Sequence, residues 1–291
     1  MQGFRIATSL LLLLCAGAAL ANHPVIVEGN CDSPTFGTTV LGVAGTCGDF
    51  DGDGRIGSAE DTDGADRIFG TLTAAIGPGT GAAAGTGANL NGTVLIAASG
   101  RFVLPTSLLI GDAAGPTLLT IEAAPGAIAL IDAVAQGDTL ANNNFRQNIA
   151  GIHITASNVE DRIVLRNLTF RNWSEAIRVN GGARVVIENC TFEHNLDYAV
   201  RVMGSAHVMV NGSRMFDTGS RFGVTVTSTG AGTAIQFEGT STGLVSKTAI
   251  FNSTGTAINN ASSNGASAVR FFQVIVGGNG NGIINATPVA F

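Results

Sequence analysis

From Asn91 onward the chain is built of short runs in which apolar and polar residues alternate, separated by Gly, Asn, Asp and Ser. Alternation with a period of two predicts strands, and runs of this length are too short for helices. The runs also recur. Ala176-Ile177-Arg178-Val179 returns 23 positions later as Ala199-Val200-Arg201-Val202. The same shift carries Val185 onto Val208, Ile187 onto Val210 and Phe192 onto Met215. A shift of 22 carries Ile163 onto Val185, Leu165 onto Ile187, Asn167 onto Asn189 and Phe170 onto Phe192. Ala234-Ile235 returns as Ala257-Ile258, again 23 apart. Between Ala199 and Ala234 the gap is 35, one period plus 12 residues, and the Gly/Thr/Ser-rich segment Arg221–Gly232 is the predicted protruding loop.

Three short strands in a period of about 23 residues predict an all-β solenoid, a parallel β-helix. Each coil stacks on the last at the strand spacing of about 4.8 Å, and parallel connections are right-handed in nearly all cases. Inward Val, Ile, Leu and Phe then form ladders, so burial runs from coil to coil. Asn167 and Asn189 recur at a predicted bend, where asparagine tolerates the left-handed backbone region. The stretch from Asn91 to Ala286 has room for roughly eight coils. Upstream, Ile68, Leu72 and Ile76 fall at i, i+4 and i+8 and predict a short helix over 68–76. Gly77-Pro78-Gly79 ends it, and residues 79–88, nearly all Gly, Ala and Thr, read as a linker.

Composition narrows the class. Of 291 residues 45% are hydrophobic and only 12% charged, and 40 glycines stand beside a single lysine. A helical bundle needs charged outer faces and little glycine, so that class is excluded. The formal net charge of −6 excludes a nucleic-acid binder resting on basic charge. The negative balance is local. Asp49, Asp51, Asp53, Glu60, Asp61, Asp63 and Asp66 account for much of it, whereas the chain from Arg67 on is nearly neutral.

Residues 1–21 read as a signal peptide. Arg5 precedes an apolar run, Ile6 to Leu20, and Ala19-Leu20-Ala21 has the small-x-small form of a cleavage site. Lipidation at Cys15 is the alternative reading of this segment. No later stretch is long and apolar enough to span a bilayer. The expected address is therefore secreted, periplasmic or cell-surface. Cys31 and Cys47, close to the mature N-terminus, are expected to form a disulfide in that oxidising setting, contributing about 3 kcal/mol. Cys190 reads as a small buried hydrophobe. The domain reading is thus 1–21 signal peptide, 22–66 disulfide and calcium-loop segment, 67–90 capping helix and linker, and 91–291 β-helix.

Asp49-Phe50-Asp51-Gly52-Asp53-Gly54-Arg55-Ile56-Gly57-Ser58-Ala59-Glu60 fills the twelve positions of an EF-hand calcium loop. Asp49, Asp51 and Asp53 supply alternate carboxylates, Gly54 allows the sharp turn, Arg55 offers its carbonyl, and Glu60 can bind with both oxygens. The expected cofactor is calcium, held as a structural clip. The loop locally resembles a dockerin. Together with the disulfide and the helix it is expected to cap the open end of the solenoid, whose bare strand edges would otherwise invite association.

Three segments carry a wider resemblance: Ile121 to Gly126, Ile163 to Phe170 and Val186 to Phe192. On these the chain resembles the secreted right-handed parallel β-helix proteins, whose superfamily includes pectate-lyase-like enzymes. In such enzymes calcium or an arginine pairs with the substrate carboxylate, and a base takes the proton α to it. Stacking the coils by their period sets His153, Arg178, Arg201, Gln236 and Asn259 in one outward row. Thr155, Asn180, Met203 and Glu238 lie beside it, and Ser174 and Asp197 at its margin near Glu175. The resemblance implies Arg178 or Arg201 neutralising a uronate, with His153 as base and Asp197 nearby. The solenoid shows neither a cluster of three aspartates nor a paired-aspartate signature. The leading expectation is therefore a non-catalytic surface or matrix protein whose partner is extracellular polysaccharide. The alternative is a lyase or hydrolase on acidic glycans. Self-association through the solenoid ends is a further expected contact.

Overall fold

The computed structural model describes residues 25–27, 67–69, 72–76, 91–96, 99–104, 107–111, 116–133, 150–220, 232–265 and 268–285. In chain order these form β1 (Val25–Val27), β2 (Arg67–Phe69), helix α1 (Leu72–Ile76) and then 21 further strands. The strands make successive coils of three: β3 (Asn91–Ile96), β4 (Gly100–Val103), β5 (Leu108–Ile110); β6 (Leu118–Ala123), β7 (Ala129–Asp132), β8 (Ala150–Ile154); β9 (Arg162–Arg166), β10 (Leu168–Arg171), β11 (Glu175–Gly181). Next come β12 (Arg184–Glu188), β13 (Thr191–Glu193), β14 (Tyr198–Gly204); β15 (His207–Asn211), β16 (Arg214–Phe216), β17 (Thr233–Phe237). The last are β18 (Thr242–Ser246), β19 (Ala249–Phe251), β20 (Thr256–Asn260); β21 (Val269–Phe272), β22 (Ile275–Gly277), β23 (Asn281–Ile284). The described residues thus hold seven three-strand coils, where length alone suggests about eight.

Like strands of successive coils pair in parallel and build three sheets. Sheet 1 runs β2-β1-β3-β6-β9-β12-β15-β18-β21, sheet 2 runs β4 to β22, and sheet 3 runs β5 to β23. The register follows the repeat of the sequence. Ile163, Val185 and Val208 pair in line, as do Leu165, Ile187 and Val210. Phe170, Phe192 and Met215 pair in line in sheet 2, and Ile235 pairs with Ile258 in sheet 3. These inward columns are fully buried. Phe170 and Phe192 stack with ring centroids 5.2 Å apart. Where a column lacks a side chain, a neighbouring ring fills the gap: a methyl added to Gly243 would sit 2.7 Å from the Phe237 ring, and one added to Gly151 would sit 3.0 Å from the Trp173 indole.

The corners explain how so flat a ribbon turns. Asn167, Asn189, Gly212, Lys247 and Gln273, each just past a sheet-1 strand, have φ between 49° and 62°. Asn172, His194, Asp217, Asn252 and Gly278 do the same past the sheet-2 strands, with φ between 53° and 65°. A left-handed residue with a side chain costs about 1–2 kcal/mol. Each coil holds that strain in place by bonding to the next: the N–H groups of Asn167, Asn189, Gly212 and Lys247 donate to the carbonyls of Glu188, Asn211, Ser246 and Phe272 at 2.9–3.1 Å. Asn195 adds a side-chain clamp, accepting from the Trp173 N–H and donating to the Phe170 carbonyl. Asn279 repeats this on Ser253 and Ile250.

The N-terminal elements differ from the sequence expectation. Ile68 does not begin a helix; it lies in β2 and pairs with Ile26, while β1 pairs with β3. The helix is only Leu72–Ile76, because Gly70 and Thr71 separate the strand from it and the i, i+4, i+8 spacing runs across both elements. Leu72, Ala75 and Ile76 are buried in the same core as the solenoid columns. The expected signal peptide, Cys15, Cys31, Cys47, the expected calcium loop Asp49–Glu60, the expected linker 79–88 and loop residues 221–231 lie outside the described residues. Cys190 lies between β12 and β13, buried as expected; its thiol points at the Leu165 and Glu188 carbonyls, and burial pushes its pKa up to about 12.

If the corner conformation is fixed by the backbone, Asn189→Gly should leave stability nearly unchanged, since Gly212 holds the same corner one coil later. Asn189→Val should cost about 1–2 kcal/mol in urea unfolding.

Candidate functional site

Sheet 3 presents the row that the repeat predicts. Because side chains alternate along a strand, the residue between two buried apolar neighbours points outward. His153 sits between Ile152 and Ile154, Arg178 between Ile177 and Val179, and Arg201 between Val200 and Val202. His153 pairs with Arg178, Arg178 with Arg201, Arg201 with Gln236, and Gln236 with Asn259. Asn180 pairs with Met203 in the adjacent row.

The two arginines stack one above the other, and the carboxylate of Glu175 closes both. Arg178 grips it through Nε and Nη2, the latter at 2.7 Å, and Arg201 Nη1 reaches it at 3.1 Å. Arg201 Nη2 donates to Glu238 at 3.1 Å, and its guanidinium lies 5.1 Å from the Tyr198 ring centre. The Glu175 side chain is only 5% exposed, which strengthens these bonds. The Glu175 hydrogen bond raises the Arg178 pKa against burial. Burial works against the Arg201 charge, yet Glu238 and Glu175 together raise its pKa too. These bonds occupy Nε and Nη2 of Arg178 and both Nη atoms of Arg201, while Arg201 Nε is buried without a hydrogen-bond partner among the described residues.

Asp197 is likewise engaged. The Ser174 hydroxyl donates to its Oδ2, and its own N–H donates to the Ser174 carbonyl. His153 differs. Its Nε2 is buried and has no hydrogen-bond partner among the described residues. Burial lowers its pKa first, and the Arg178 charge lowers it further against the pull of Glu175. The imidazole is therefore neutral at neutral pH. Of the four sequence candidates, His153, Arg178 and Arg201 form one contiguous row, and Asp197 joins Ser174 at its edge. The residue whose role the sequence under-read is Glu175. Its spacing of three from Arg178 was visible, but its position under both arginines needs the coil register.

The calcium ligand candidates Asp49, Asp51, Asp53, Arg55 and Glu60 lie outside the described residues. Among the described residues, no group of three or more His, Cys, Asp or Glu is placed to hold a metal. No described helix is long and apolar enough to cross a membrane.

Two measurements test this electrostatic reading. Glu175→Ala strands the Arg178 guanidinium and leaves Arg201 with Glu238 alone, and should cost about 3 kcal/mol in denaturant unfolding. For His153 the folded pKa lies below the ordinary value of 6.5, so the unfolded chain takes up the proton first. Its contribution to stability is thus whole above that value and falls as pH drops below it. A pH series of melting temperatures should show that decline, and His153→Gln should flatten it.

The comparisons with known proteins agree with this architecture. No curated protein and no solved structure matches the chain significantly. The family described as right handed beta helix region matches residues 129–288, more than half of the sequence and six of the seven coils in whole or part. With parallel strands stacked in three sheets and a core running through them, the chain belongs to the right-handed β-helix family.

Proposed function

We propose that this protein is an exported, calcium-clipped β-helix of the cell surface or extracellular matrix that binds glycans without cleaving them. The observation that carries the non-catalytic reading is the closure of the sheet-3 row. Arg178 and Arg201, the groups that would neutralise a uronate, are already committed to Glu175 and Glu238. A lyase needs its cation free to stabilise the charge that develops on the substrate carboxylate. Long outward rows in register, by contrast, give an extended surface of the kind that solenoids use for binding.

Calcium rests on the donor set of Asp49, Asp51, Asp53, Arg55 and Glu60. Hard carboxylate and carbonyl oxygens at alternate positions suit a hard cation and little else. When bound, the ion would neutralise the acidic segment and hold it as a clip, helping that segment and α1 to cap the solenoid. Export rests on the N-terminal apolar run and its small-residue cleavage pattern.

One observation favours a second reading, a lyase acting on acidic polysaccharide. His153 has a lowered pKa, and its buried Nε2 has no partner among the described residues, which leaves a proton acceptor beside Arg178 for a substrate that reaches it. A single assay separates the two. Incubated with polyuronates and calcium, the protein should produce no ultraviolet-absorbing unsaturated ends, yet should be retained on at least one immobilised glycan. Turnover abolished by His153→Ala would establish the lyase instead. In parallel, a chelator should lower the melting temperature, and an unchanged value would remove the calcium clip.

A further inference from the structure

The outward face of sheet 1 has three columns, and they differ in how charge is handled. One column is Glu122, Arg166, Glu188, Asn211 and Ser246, aligned strand by strand. It is closed within the protein: Arg166 donates to Glu122 and Glu188 at 2.9 Å each, Asn211 to Glu188, and Ser246 to Asn211. The middle column is apolar: Val164, Val186, Met209 and Leu244, all half-buried. The third column is Arg162, Arg184 and His207, in direct register and exposed.

That third column breaks the rule kept elsewhere. Arg178 and Arg201 stack in register with Glu175 bridging them. Arg101 and Arg171 converge on the buried carboxylate of Asp132. Arg162 and Arg184 are stacked with no carboxylate between them among the described residues. Like charges directly opposite across strands destabilise a sheet. Arg162 is also held in place: its Nη1 donates to the Val159 and Asp161 carbonyls at 3.0 Å, which fixes the side chain without neutralising it. The nearby Asp161 carboxylate is buried and accepts from the Thr117 and Asn158 N–H groups. His207 extends the column, its Nδ1 2.9 Å from Thr242 Oγ1.

We propose that Arg162, Arg184 and His207 form an anion-binding ladder on sheet 1 that holds an acidic glycan running along the solenoid axis. This rests on the glycan-binding reading above and adds to it a second face and a charge class. The ladder supplies two permanent guanidinium charges and an imidazole donor at steps of about 4.8 Å. Carboxylate or sulfate groups along the polymer replace the bridging carboxylate that the protein withholds here, and guanidinium matches both in fork geometry. The neighbouring Val164–Val186–Met209 stripe offers a flat apolar strip for the C–H faces of sugar rings. A nucleic acid is disfavoured by the net charge of −6 and the single lysine.

The test measures binding of the full chain to polygalacturonate, dextran sulfate, neutral dextran and anionic phospholipid vesicles at two salt concentrations. At least one of the two acidic glycans should bind, and more weakly at higher salt. Arg184→Gln should weaken that binding about tenfold, the worth of one charge-assisted hydrogen bond, and Arg162→Gln should do the same. Arg184→Lys should lose less, and Lys247→Gln, which removes a charge from a corner off this face, should bind as wild type. Gln273 already occupies the corresponding corner, so that control should fold. Wild-type affinity in both arginine variants overturns the ladder. So does ladder-dependent binding to vesicles alone. If neither acidic glycan binds but neutral dextran does, the ladder falls while the glycan-binding reading stands; if no glycan binds, both fall.

Discussion

Everything in this molecule depends on one constraint: each coil must lie on the last in parallel register. The backbone enforces it twice, through strand pairing in three sheets and through corner N–H groups that donate upward to the next coil. The apolar columns then close the remaining freedom, because a slip of one residue would turn every inward side chain out. Phe170 over Phe192, and Trp173 folded over Gly151, show how tightly the stack is filled. The corners tolerate Lys247, Gln273 and His194 in a backbone region that suits glycine because this stacking over-determines them.

The same register makes electrostatics a problem of rows. Any charge recurring with the period of the repeat finds itself directly above a copy. In most rows the protein answers by interleaving: glutamate between or beneath arginines in sheets 1 and 3, and Asp132 beneath two arginines in sheet 2. Arg178 and Arg201, where a substrate clamp would stand, are bonded to Glu175 and Glu238. The row with no closure is therefore the informative one.

Much of this was legible from spacing alone. Shifts of 22 and 23 aligned Val185 with Val208 and Arg178 with Arg201, and the pairing follows those shifts because hydrophobic alternation pins register. Cys190 was readable as buried because it falls inside a strongly apolar repeat. The misses share a cause. Ile68 fitted a helical period by accident, since two short elements separated by Gly70 and Thr71 share the same spacing. The second corner, at Asn172, His194, Asp217, Asn252 and Gly278, uses residue types that favour the left-handed region, but their identity changes from coil to coil and so gives no simple repeat. Glu175 could be placed near the arginines, but its bridging of both depends on side-chain reach, which spacing does not encode. Proximity in the row was readable; engagement within it was not.

Every row is set by the stacking of the coils, so the direct test is a distance ladder along the stack. Thr93, Thr120, Val164, Val186, Met209 and Leu244 occupy one outward column of sheet 1 on successive coils. Spin labels at Leu244 paired with labels at Val164, Thr120 and Thr93 are separated by three, four and five steps. The fold predicts mean distances that rise by about 4.8 Å per step, to about 24 Å at Thr93. Distances that fail to climb in that order would contradict the coiled stack and every row argued from it.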